Sequence, residues 1–510
     1  MPRSGFERVR TGCRSCKVRK VKCDEGRPEC RRCRTSGRTC AGYQTPQPGS
    51  FSWSELLRIR PSIIADSSAT SAELQSLDFF RCIVAPALVG SVASNFWTSS
   101  VMQQAIQQTP ARNAVLAISA LYRRFDPMFN NASLPDESIM PILYYNKALK
   151  QVATMESLDT DTVLLLSILF TCIEFLRGNV PAAVGHCRHG IQILSSVDKT
   201  SPDTSAIFRH LSIFPYFFGA ALSDFPHPQH VEHTGLHFGD ASQAAESLDG
   251  LMARSVRLVR ACDPFRFAAI DSTQAPPPSL TLMQQELHHE IDKWFSRFSA
   301  VRGQQHRMNS RDQSLCRTLE TRWLVCKIWV DIALCQDETL CDTYRTLFER
   351  IIQLAREEAI SRKLAGTEKA SFFQFDMGLS PLLYFVVIKC RFLWLRLEAL
   401  ELLETLACSR ESMWDPSLLY AIGKHSIERE HNFNFTTQPI EGGLRSSNLE
   451  NSLPSNTERI RDSLLEDETK THVNGYGSRV TLQRIYFFVR QSDDMEVGIV
   501  PDWILLPQKR

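Results

Sequence analysis

Six cysteines lie within the first forty residues of the chain and constrain its fold more than any other feature. Their spacing is C-x2-C-x6-C-x6-C-x2-C-x6-C, one half-motif written twice, and the residues are Cys13, Cys16, Cys23, Cys30, Cys33 and Cys40. Thiolates at such short intervals suit zinc, which takes four soft ligands in tetrahedral geometry. Two zinc ions need eight ligand positions, so six sulfurs suffice only if two of them bridge both metals.

The internal repeat indicates which two sulfurs bridge. The equivalent first members of the two halves are Cys13 and Cys30. The first ion is then expected to bind Cys13, Cys16, Cys23 and Cys30, and the second ion Cys30, Cys33, Cys40 and Cys13.

Basic residues are concentrated around these cysteines. Residues 1–50 contain thirteen Lys and Arg against four acids, whereas residues 51–510 contain 45 basic and 52 acidic residues. The N-terminal region is therefore cationic enough to hold a polyphosphate through counterion release, and the remainder has no such bias.

Two other interpretations of the cysteines fit less well. A disulfide framework needs an oxidising compartment, but the sequence MPRSGFERVR has no apolar signal core, and ten further cysteines are scattered singly through apolar segments. A zinc ribbon that binds protein would not need this density of Lys and Arg between its ligands.

The segment GCRSCKVRKVKCDEGRPECRRC, residues 12–33, resembles the zinc binuclear cluster, Zn2Cys6, of fungal transcription factors. The likeness includes the bases between the second and third cysteines, the step Lys22-Cys23-Asp24, and Pro28. In that family a short helix enters the major groove and a lysine near its end reads a CGG triplet. The resemblance therefore implies two Zn²⁺ ions per chain, double-stranded DNA as a partner, and a nuclear location.

By the same resemblance, eight basic residues are expected to contact DNA. Lys20 corresponds to the reading lysine, and guanine offers it the acceptors N7 and O6. Phosphates or the neighbouring base are expected for Lys17, Arg19 and Lys22. Contacts to the DNA backbone, which position without specifying sequence, are expected from Arg31, Arg32, Arg34 and Arg38.

Composition divides the rest of the chain. The predicted segments are a cluster domain at 8–43, a flexible linker rich in Ser, Pro and Ala at 44–72, a helical domain at 73–430, a polar disordered segment at 431–478 and a C-terminal segment at 479–510. Within the last segment, residues 479–489 and 497–506 are rich in β-prone residues and are predicted to pair as a hairpin.

Apolar stretches with helical spacing recur through the predicted helical domain, and few alternate with period two. They cover residues 74–94, 110–123, 161–177, 318–335, 344–364 and 381–406. The third ends at Gly178-Asn179 and is followed by Pro181, which predicts a buried helix hairpin. We expect a mainly α fold: a small Zn2Cys6 cluster, then a large all-α domain, either as one body or as two lobes joined at residues 276–278.

Residues 77–430 also resemble the helical fungal-specific transcription factor domain, through motifs such as IEFLRGN, FDMGLSPLLYFVVIKCR and RESMWD in that order. The resemblance implies a regulatory domain that contacts effectors, co-regulators or the DNA-binding head. No coiled coil is visible, because the one candidate, residues 54–60, is cut by Pro61, so any homodimer is expected to form through the helical domain. The helical spacing predicts core positions for Trp97, Phe175, Phe375, Met377, Tyr384 and Trp414.

Signals for catalysis are poor. The chain has no G-x-S-x-G elbow and no phosphate-cradling glycine loop after a strand. The histidine-dense residues 227–237 are predicted to form a solvated loop, and His186, Cys187 and His189 to lie on a helix surface. We expect a protein without enzymatic activity. The rival hypothesis is a nuclear interaction scaffold whose zinc head binds DNA without sequence preference.

Overall fold

The cysteine-rich head and the helical remainder form separate units in a computed structural model, Met1–Ser68 and Ala69–Arg510. The structure describes residues 12–26, 28–43, 70–90, 95–125, 139–155, 158–197, 199–218, 222, 225, 235, 237–267, 275–304, 308–366, 372–432, 435, 453–473, 479–490 and 497–506. The predicted linker lies outside these residues except for its last three positions, which already belong to the start of the first body helix.

The head contains two short helices, α1 (Arg14–Val18) and α2 (Arg31–Thr35). The described part of the body is dominated by helices: α3 (Ser71–Phe79), α4 (Ala85–Leu88), α5 (Val101–Gln107), α6 (Thr109–Arg123), α7 (Met140–Thr154), α8 (Thr160–Arg177), α9 (Val180–Ser195), α10 (Pro202–Leu211), α11 (Phe214–Phe217), α12 (Ala241–Arg266), α13 (Pro278–Gly303), α14 (Ser310–Asp331), α15 (Arg345–Leu364), α16 (Ser380–Lys389), α17 (Leu393–Leu406) and α18 (Pro416–His431). The mainly α prediction is confirmed.

Helix boundaries follow local side-chain chemistry. Thr70 and Glu73 form a reciprocal capping box at the start of α3, which satisfies two backbone N–H groups that the helix itself leaves unpaired. The predicted helix hairpin is also confirmed. Helix α8 ends at Gly178 with φ of 71°, and Asn179 caps α9 with Pro181 in its first turn.

A chain of aromatic contacts runs through the body. The ring centroids of Trp97 and Phe375 lie 5.0 Å apart, those of Phe375 and Phe175 5.5 Å, and those of Phe175 and Phe214 5.7 Å. Phe214 in turn contacts Trp414 at 5.2 Å. Because these residues come from distant parts of the sequence, the contacts join the helices into one core. The two-lobe alternative is therefore not found, since residues 69–510 form a single unit.

The predicted core assignment holds for five of its six residues. Five of them are buried: Trp97, Phe175, Phe375, Met377 and Trp414. Tyr384 is only half-buried. Tyr384 packs beside the apolar face of the C-terminal strands.

Three antiparallel strands follow the helices in the order β3-β4-β5, with β3 at Ile460–Val473, β4 at Arg479–Arg490 and β5 at Val497–Leu505. The predicted pairing of residues 479–489 with 497–506 is present, with Phe487 opposite Val500. One face of the sheet packs on α18 around Ile422, Ile485 and Phe487. A further pair of two-residue strands, β1 (Phe373–Gln374) and β2 (Arg410–Glu411), is parallel.

The prediction of disorder over residues 431–478 is wrong for residues 453–473. This part contains β3, which pairs with β4 along its length except at two register shifts. The polar composition was misleading because only the beginning of β3 is buried, while its far end is exposed. The remainder of the predicted disordered segment lies mostly outside the described residues.

Ion pairs and hydrogen bonds fix the beginning of β3 to the helices. The Ile460 N–H donates to Glu430 Oε1 at 2.6 Å, and Lys389 Nζ donates to the Arg461 carbonyl at 2.9 Å. Arg459 binds both carboxylate oxygens of Asp342, at 2.9 and 2.7 Å. Within the described part of the chain, no helix combines the length and apolar character needed to cross a bilayer.

Candidate metal centre and nucleic-acid interface

Both helices of the head begin at a cysteine whose sulfur serves as the cap. Cys13 Sγ accepts the backbone N–H of Cys16 at 3.4 Å, and Cys30 Sγ accepts that of Cys33 at 3.3 Å. The C-x2-C spacing places one sulfur at the N-cap and the other one helical turn away. Each half of the repeat therefore folds into the same loop-and-helix unit, with two sulfurs on its inner side.

The six sulfurs converge between the two units. Cys13 Sγ lies 3.6 Å from Cys30 Sγ and 3.8 Å from Cys33 Sγ, and Cys16 Sγ lies 3.7 Å from Cys30 Sγ. Four ligands at about 2.3 Å around a tetrahedral zinc ion are separated by about 3.8 Å from one another, so this spacing fits zinc. All sixteen cysteines of the chain are free thiols, which argues against the disulfide framework.

Two overlapping sets of four sulfurs each gather within 4.8 Å: Cys13, Cys16, Cys23 and Cys30, and Cys13, Cys30, Cys33 and Cys40. Cys13 and Cys30 belong to both sets and have no accessible surface. The geometry thus brings together the two quartets that the repeat predicts, with the expected shared pair.

The surroundings of the sulfurs affect their acidity. Burial raises the pKa of the Cys13 thiol to about 12 and also raises the pKa of Cys16 and Cys30. Burial acts on Cys23 in the same sense, but the N–H groups of Cys13 and Glu25 point at its sulfur and lower its pKa to about 7. A zinc ion that binds these groups takes the place of their protons.

The sequence pattern assigns no role to three polar residues that join the two halves. The Asp24 carboxylate accepts the N–H groups of Arg31 and Arg32 at the start of α2, at 2.9 and 3.1 Å. The Ser15 hydroxyl donates to the Thr39 carbonyl and accepts the Ala41 N–H. Asp24 directly follows Cys23, and that position links it to the metal centre, whereas no local pattern predicts the contacts of Ser15.

The third residue is Tyr43, whose hydroxyl donates to the Gly26 carbonyl at 2.7 Å and lies 3.8 Å from Cys23 Sγ. Gly12 closes the other side of the same cysteine, because a Cβ at Gly12 would lie 2.9 Å from Cys23 Cβ. Cys23 is therefore held from both flanks.

The basic residues expected to contact DNA lie on the surface of the head. Seven are exposed: Lys17, Lys20, Lys22, Arg31, Arg32, Arg34 and Arg38. Arg19 is half-buried, and its Nη1 donates to the Ser36 hydroxyl at 3.1 Å, which ties α1 to the end of α2. Lys22, Arg31 and Arg32 line one surface depression together with Asp24 and Thr35.

Lys20 has an unusual backbone. Its φ of 54° lies in the left-handed region, which costs energy for a residue with a Cβ. The conformation ends α1: the Lys20 N–H donates to the Lys17 carbonyl, and the next residue, Val21, donates to that of Cys16. Residues held in such conformations cluster at functional sites.

Histidines of the body contribute no comparable site among the described residues. His227, His230 and His233 lie outside those residues, and His237 is exposed. The expected surface position of Cys187 is wrong, since its thiol is buried and donates to the Leu211 carbonyl. His186 is half-buried and shares a 2.8 Å hydrogen bond with the Tyr145 hydroxyl.

Comparison with known proteins identifies the head. Residues 11–50 match the family described as the fungal Zn(2)-Cys(6) binuclear cluster domain. The chain is 28% identical over 225 residues to the aspercryptin biosynthesis cluster-specific transcription regulator atnN of Emericella nidulans, covering 38% of this chain and 36% of the relative. It is 32% identical over 142 residues to the Zn(2)-C6 fungal-type transcription factor afumD of Aspergillus fumigatus, covering 26% and 38%.

A third match is shorter. The chain is 51% identical over 37 residues to White-opaque regulator 2 of Candida albicans, 7% of this chain and 8% of the relative. The chain thus aligns with little more than a third of the length of the first two relatives, and no solved structure matches it. Sulfur geometry, sequence family and relatives agree that the chain carries an N-terminal fungal Zn(2)-Cys(6) binuclear cluster domain, which binds two zinc ions, ahead of a large helical region.

Proposed function

We propose that the chain is a nuclear, sequence-specific regulator of RNA polymerase II transcription that reads CGG-type triplets in DNA through its zinc cluster. The observation that carries this proposal is the placement of Lys20. Its exposed ammonium group follows a helix that is capped by a cluster sulfur, and its backbone is held in a left-handed turn. A cation on such a fixed support can be presented to the acceptor edge of guanine with little loss of side-chain freedom.

In this proposal the zinc ions make the support rigid. The first ion would be held by Cys13, Cys16, Cys23 and Cys30, and the second by Cys30, Cys33, Cys40 and Cys13. The fit rests on the sulfur separations of 3.6–3.8 Å and on the two quartets. When bound, zinc supplies charge neutralisation and cross-linking; the protein residues supply the contacts to DNA.

The remaining cations bind phosphate. Lys22, Arg31 and Arg32 surround one depression, where the carboxylate of Asp24 is already occupied by two backbone N–H groups. A phosphate oxygen placed there would meet three cations. Lys17, Arg34 and Arg38 are exposed and extend the cationic surface, while Arg19 keeps Nη2 and Nε for DNA when Nη1 binds Ser36. Such contacts set position and affinity, and they make binding depend on salt.

A single triplet gives little specificity, so we infer that two chains bind together. One small module makes few base contacts, and paired half-sites ordinarily supply the rest. Because the linker sequence offers no heptads, the contact between chains is assigned to the helical body. A linker with the Ser- and Pro-rich composition of residues 44–72 is expected to tolerate varied spacing between the two triplets.

The decisive experiment for the reading function is selection of bound sequences from a random DNA pool with the full chain. Recovery of a motif that contains CGG would support the proposal, which the relatives already favour because they are transcription factors. Recovery of no motif, with binding that only weakens as salt is raised, would instead favour the interaction scaffold.

Dimerisation is tested separately by gel shift on probes that carry two triplets, with the spacer lengthened one base at a time. The full chain should bind more tightly than residues 1–70 and accept several spacings. A sharp optimum that the short fragment already shows would place a dimer contact in the linker instead.

A further inference from the structure

A cavity of about 290 Å³ lies inside the helical body, where α12, α14 and α16 meet the beginning of β3. Much of its wall is aromatic. Phe217 and Trp329 stack at 5.2 Å between centroids, and Phe217 also contacts Trp414 at 5.4 Å. Trp329 continues the surface to Phe385. This wall is suited to a flat apolar group.

Where β3 borders the cavity, the wall is polar and carries basic side chains. Arg461 is 2% exposed, yet its Nε and Nη1 have no hydrogen-bond partner among the described residues. Its Nη2 makes one long bond, 3.4 Å, to Asn456 Oδ1. Arg266 also borders the cavity and, although it pairs with Asp263 at 2.7 Å, its Nε lacks a partner among the same residues.

Other buried cations of this region are matched by anions. Lys389 lies 2.8 Å from Glu338, Arg391 lies 3.2 Å from Glu430, and Arg459 lies 2.7 Å from Asp342. Burying a guanidinium group without its hydrogen bonds costs several kcal/mol, by the usual order of magnitude, so proteins seldom leave one in this state. Arg461 therefore carries a cost that its own surroundings do not offset.

The nearby anions do not remove this imbalance. Burial lowers the pKa of Arg461, and the charges of Glu338 and Asp337 act against that effect, while Arg490 and Arg266 add to it. Among the described residues that line the cavity, the one carboxylate is that of Asp462, which lies 3.7 Å from Arg266 and accepts the N–H of Ser463. Three buried nitrogen atoms of two arginines that border the cavity thus lack a hydrogen-bond partner among the described residues.

We propose that this cavity is a binding site for a small aromatic carboxylate, whose carboxylate group pairs with Arg461 and whose ring lies against Phe217, Trp329 and Trp414. A planar carboxylate can accept two parallel hydrogen bonds from the guanidinium fork, and a neutral group of the same shape cannot supply the charge. The inference goes beyond DNA recognition, because every residue it uses belongs to the helical body.

The test uses the full chain and two probes of matched shape, 2-naphthoate and its neutral amide, 2-naphthamide, with binding measured by isothermal titration calorimetry. We expect 2-naphthoate to bind at least about tenfold more tightly than 2-naphthamide, since a charge-assisted pair exceeds a neutral hydrogen bond by that margin or more. Equal affinities, or no binding of 2-naphthoate at about 1 mM, would overturn the proposal.

Three variants locate the site. Arg461→Met should abolish the preference for 2-naphthoate, and Arg461→Lys should restore part of it. Ile388→Phe, which adds volume at the half-buried wall residue Ile388, should weaken both probes. Unchanged 2-naphthoate affinity in Arg461→Met would show that the anion binds elsewhere.

The stability of Arg461→Met shows whether Arg461 is a ligand-binding residue or a structural one. If Arg461 is kept for a ligand, Arg461→Met should leave the urea midpoint of the unliganded chain unchanged or raise it, because an unmatched buried charge is replaced by an apolar side chain. A lower midpoint together with an unaltered probe preference would assign Arg461 a structural role and refute the binding role.

Discussion

The carboxylate of Asp24 accepts the backbone N–H of Arg31 at 2.9 Å, which joins the first half of the cysteine repeat to the first helical residue of the second half. The Arg32 N–H adds a second bond to the same carboxylate, at 3.1 Å. Both N–H groups lower the pKa of Asp24, and that of Arg32 has the larger effect, as expected for a carboxylate that accepts hydrogen bonds. Asp24 is thus a structural link between the two zinc-binding halves.

Asp24→Ala should therefore loosen the metal centre. We expect its zinc to pass to a chelator about tenfold faster than that of the unaltered chain, a typical effect of removing a residue that orients metal ligands. Transfer is followed with a colorimetric zinc indicator. Glu29→Ala, which removes another exposed acid of the same loop, serves as control and should match the unaltered chain.

The shared sulfurs predict unequal effects of two cysteine substitutions. Cys30→Ala should lose both zinc ions in native mass spectrometry, since Cys30 belongs to both quartets, whereas Cys40→Ala should keep the ion bound by the first quartet. Cys82→Ala, at an exposed thiol of the body, should retain two. Two ions in Cys30→Ala would refute the bridged arrangement.

Substitution of a base-contacting residue should affect DNA binding differently from substitution of a phosphate-contacting residue. Lys20→Met removes the ammonium group, keeps an unbranched side chain of similar length, and leaves the same backbone cost at φ of 54°. It should weaken the preferred site by about 1 to 3 kcal/mol and relax the guanine preference. Arg34→Met should weaken all sequences alike and flatten the salt dependence by about one unit. Fluorescence anisotropy on specific and scrambled DNA over a salt series distinguishes them, and identical behaviour would contradict the assignment of Lys20.

Two glycines of α9 should respond oppositely to alanine. A Cβ on Gly190 would lie 2.3 Å from Phe208 Cε1, whereas a Cβ on Gly185 would meet no atom within 4 Å. Gly190→Ala should lower the free energy of unfolding by about 1 to 3 kcal/mol through overpacking. Gly185→Ala should raise it by up to about 1 kcal/mol through helix propensity. Urea unfolding followed by tryptophan fluorescence measures both; stabilisation by both would show that Phe208 moves away freely.

The buried His210 should make stability depend on pH. Its Nδ1 lies 2.9 Å from Asp249 and its Nε2 lies 3.4 Å from Asp376, while Arg322 faces Asp249 at 3.5 Å. Burial alone would lower the pKa of His210, but the two carboxylates outweigh burial and Arg322 and raise it. Because the folded pKa is raised, the stabilisation is complete below the ordinary value of 6.5 and is lost as pH rises through the folded value.

His210→Gln should accordingly cost about 3 to 5 kcal/mol at pH 6, as for other broken buried pairs, and less at pH 9. Urea unfolding at the two pH values provides the comparison. His472→Gln, at an exposed position of β3, should cost little at either pH. A His210→Gln cost that is larger at pH 9 would reverse the sign and refute the argument.

The sequence was most informative where one residue type fixes local geometry. Gly178 and Pro181 mark a helix end and a helix start because few residues can replace either, and the cysteine spacing reflects the ligand requirements of zinc. The sulfur quartets could therefore be written down from the repeat, as could the mainly α class from apolar spacing.

The sequence was least informative where a partner is distant. Arg459 and Arg461 stand in a polar stretch that predicts disorder, and only the folded chain brings Asp342 and Lys389 beside them. Ser15 is a related case. Its hydroxyl forms hydrogen bonds with the backbone of residues 39 and 41, and no local sequence pattern predicts them. Tyr384 faces a cavity that helical periodicity cannot distinguish from packed core.

The anchoring of Arg459, Ile460 and Arg461 among the helices has a consequence for biosynthesis. Glu430 and Glu338 reach their complete sets of partners only after these residues have left the ribosome, whereas the last cysteine of the head is Cys40. Domains emerging first generally fold first during synthesis. The head should thus bind zinc while most of the chain is still being translated, and the body should complete its core only after translation has passed β3.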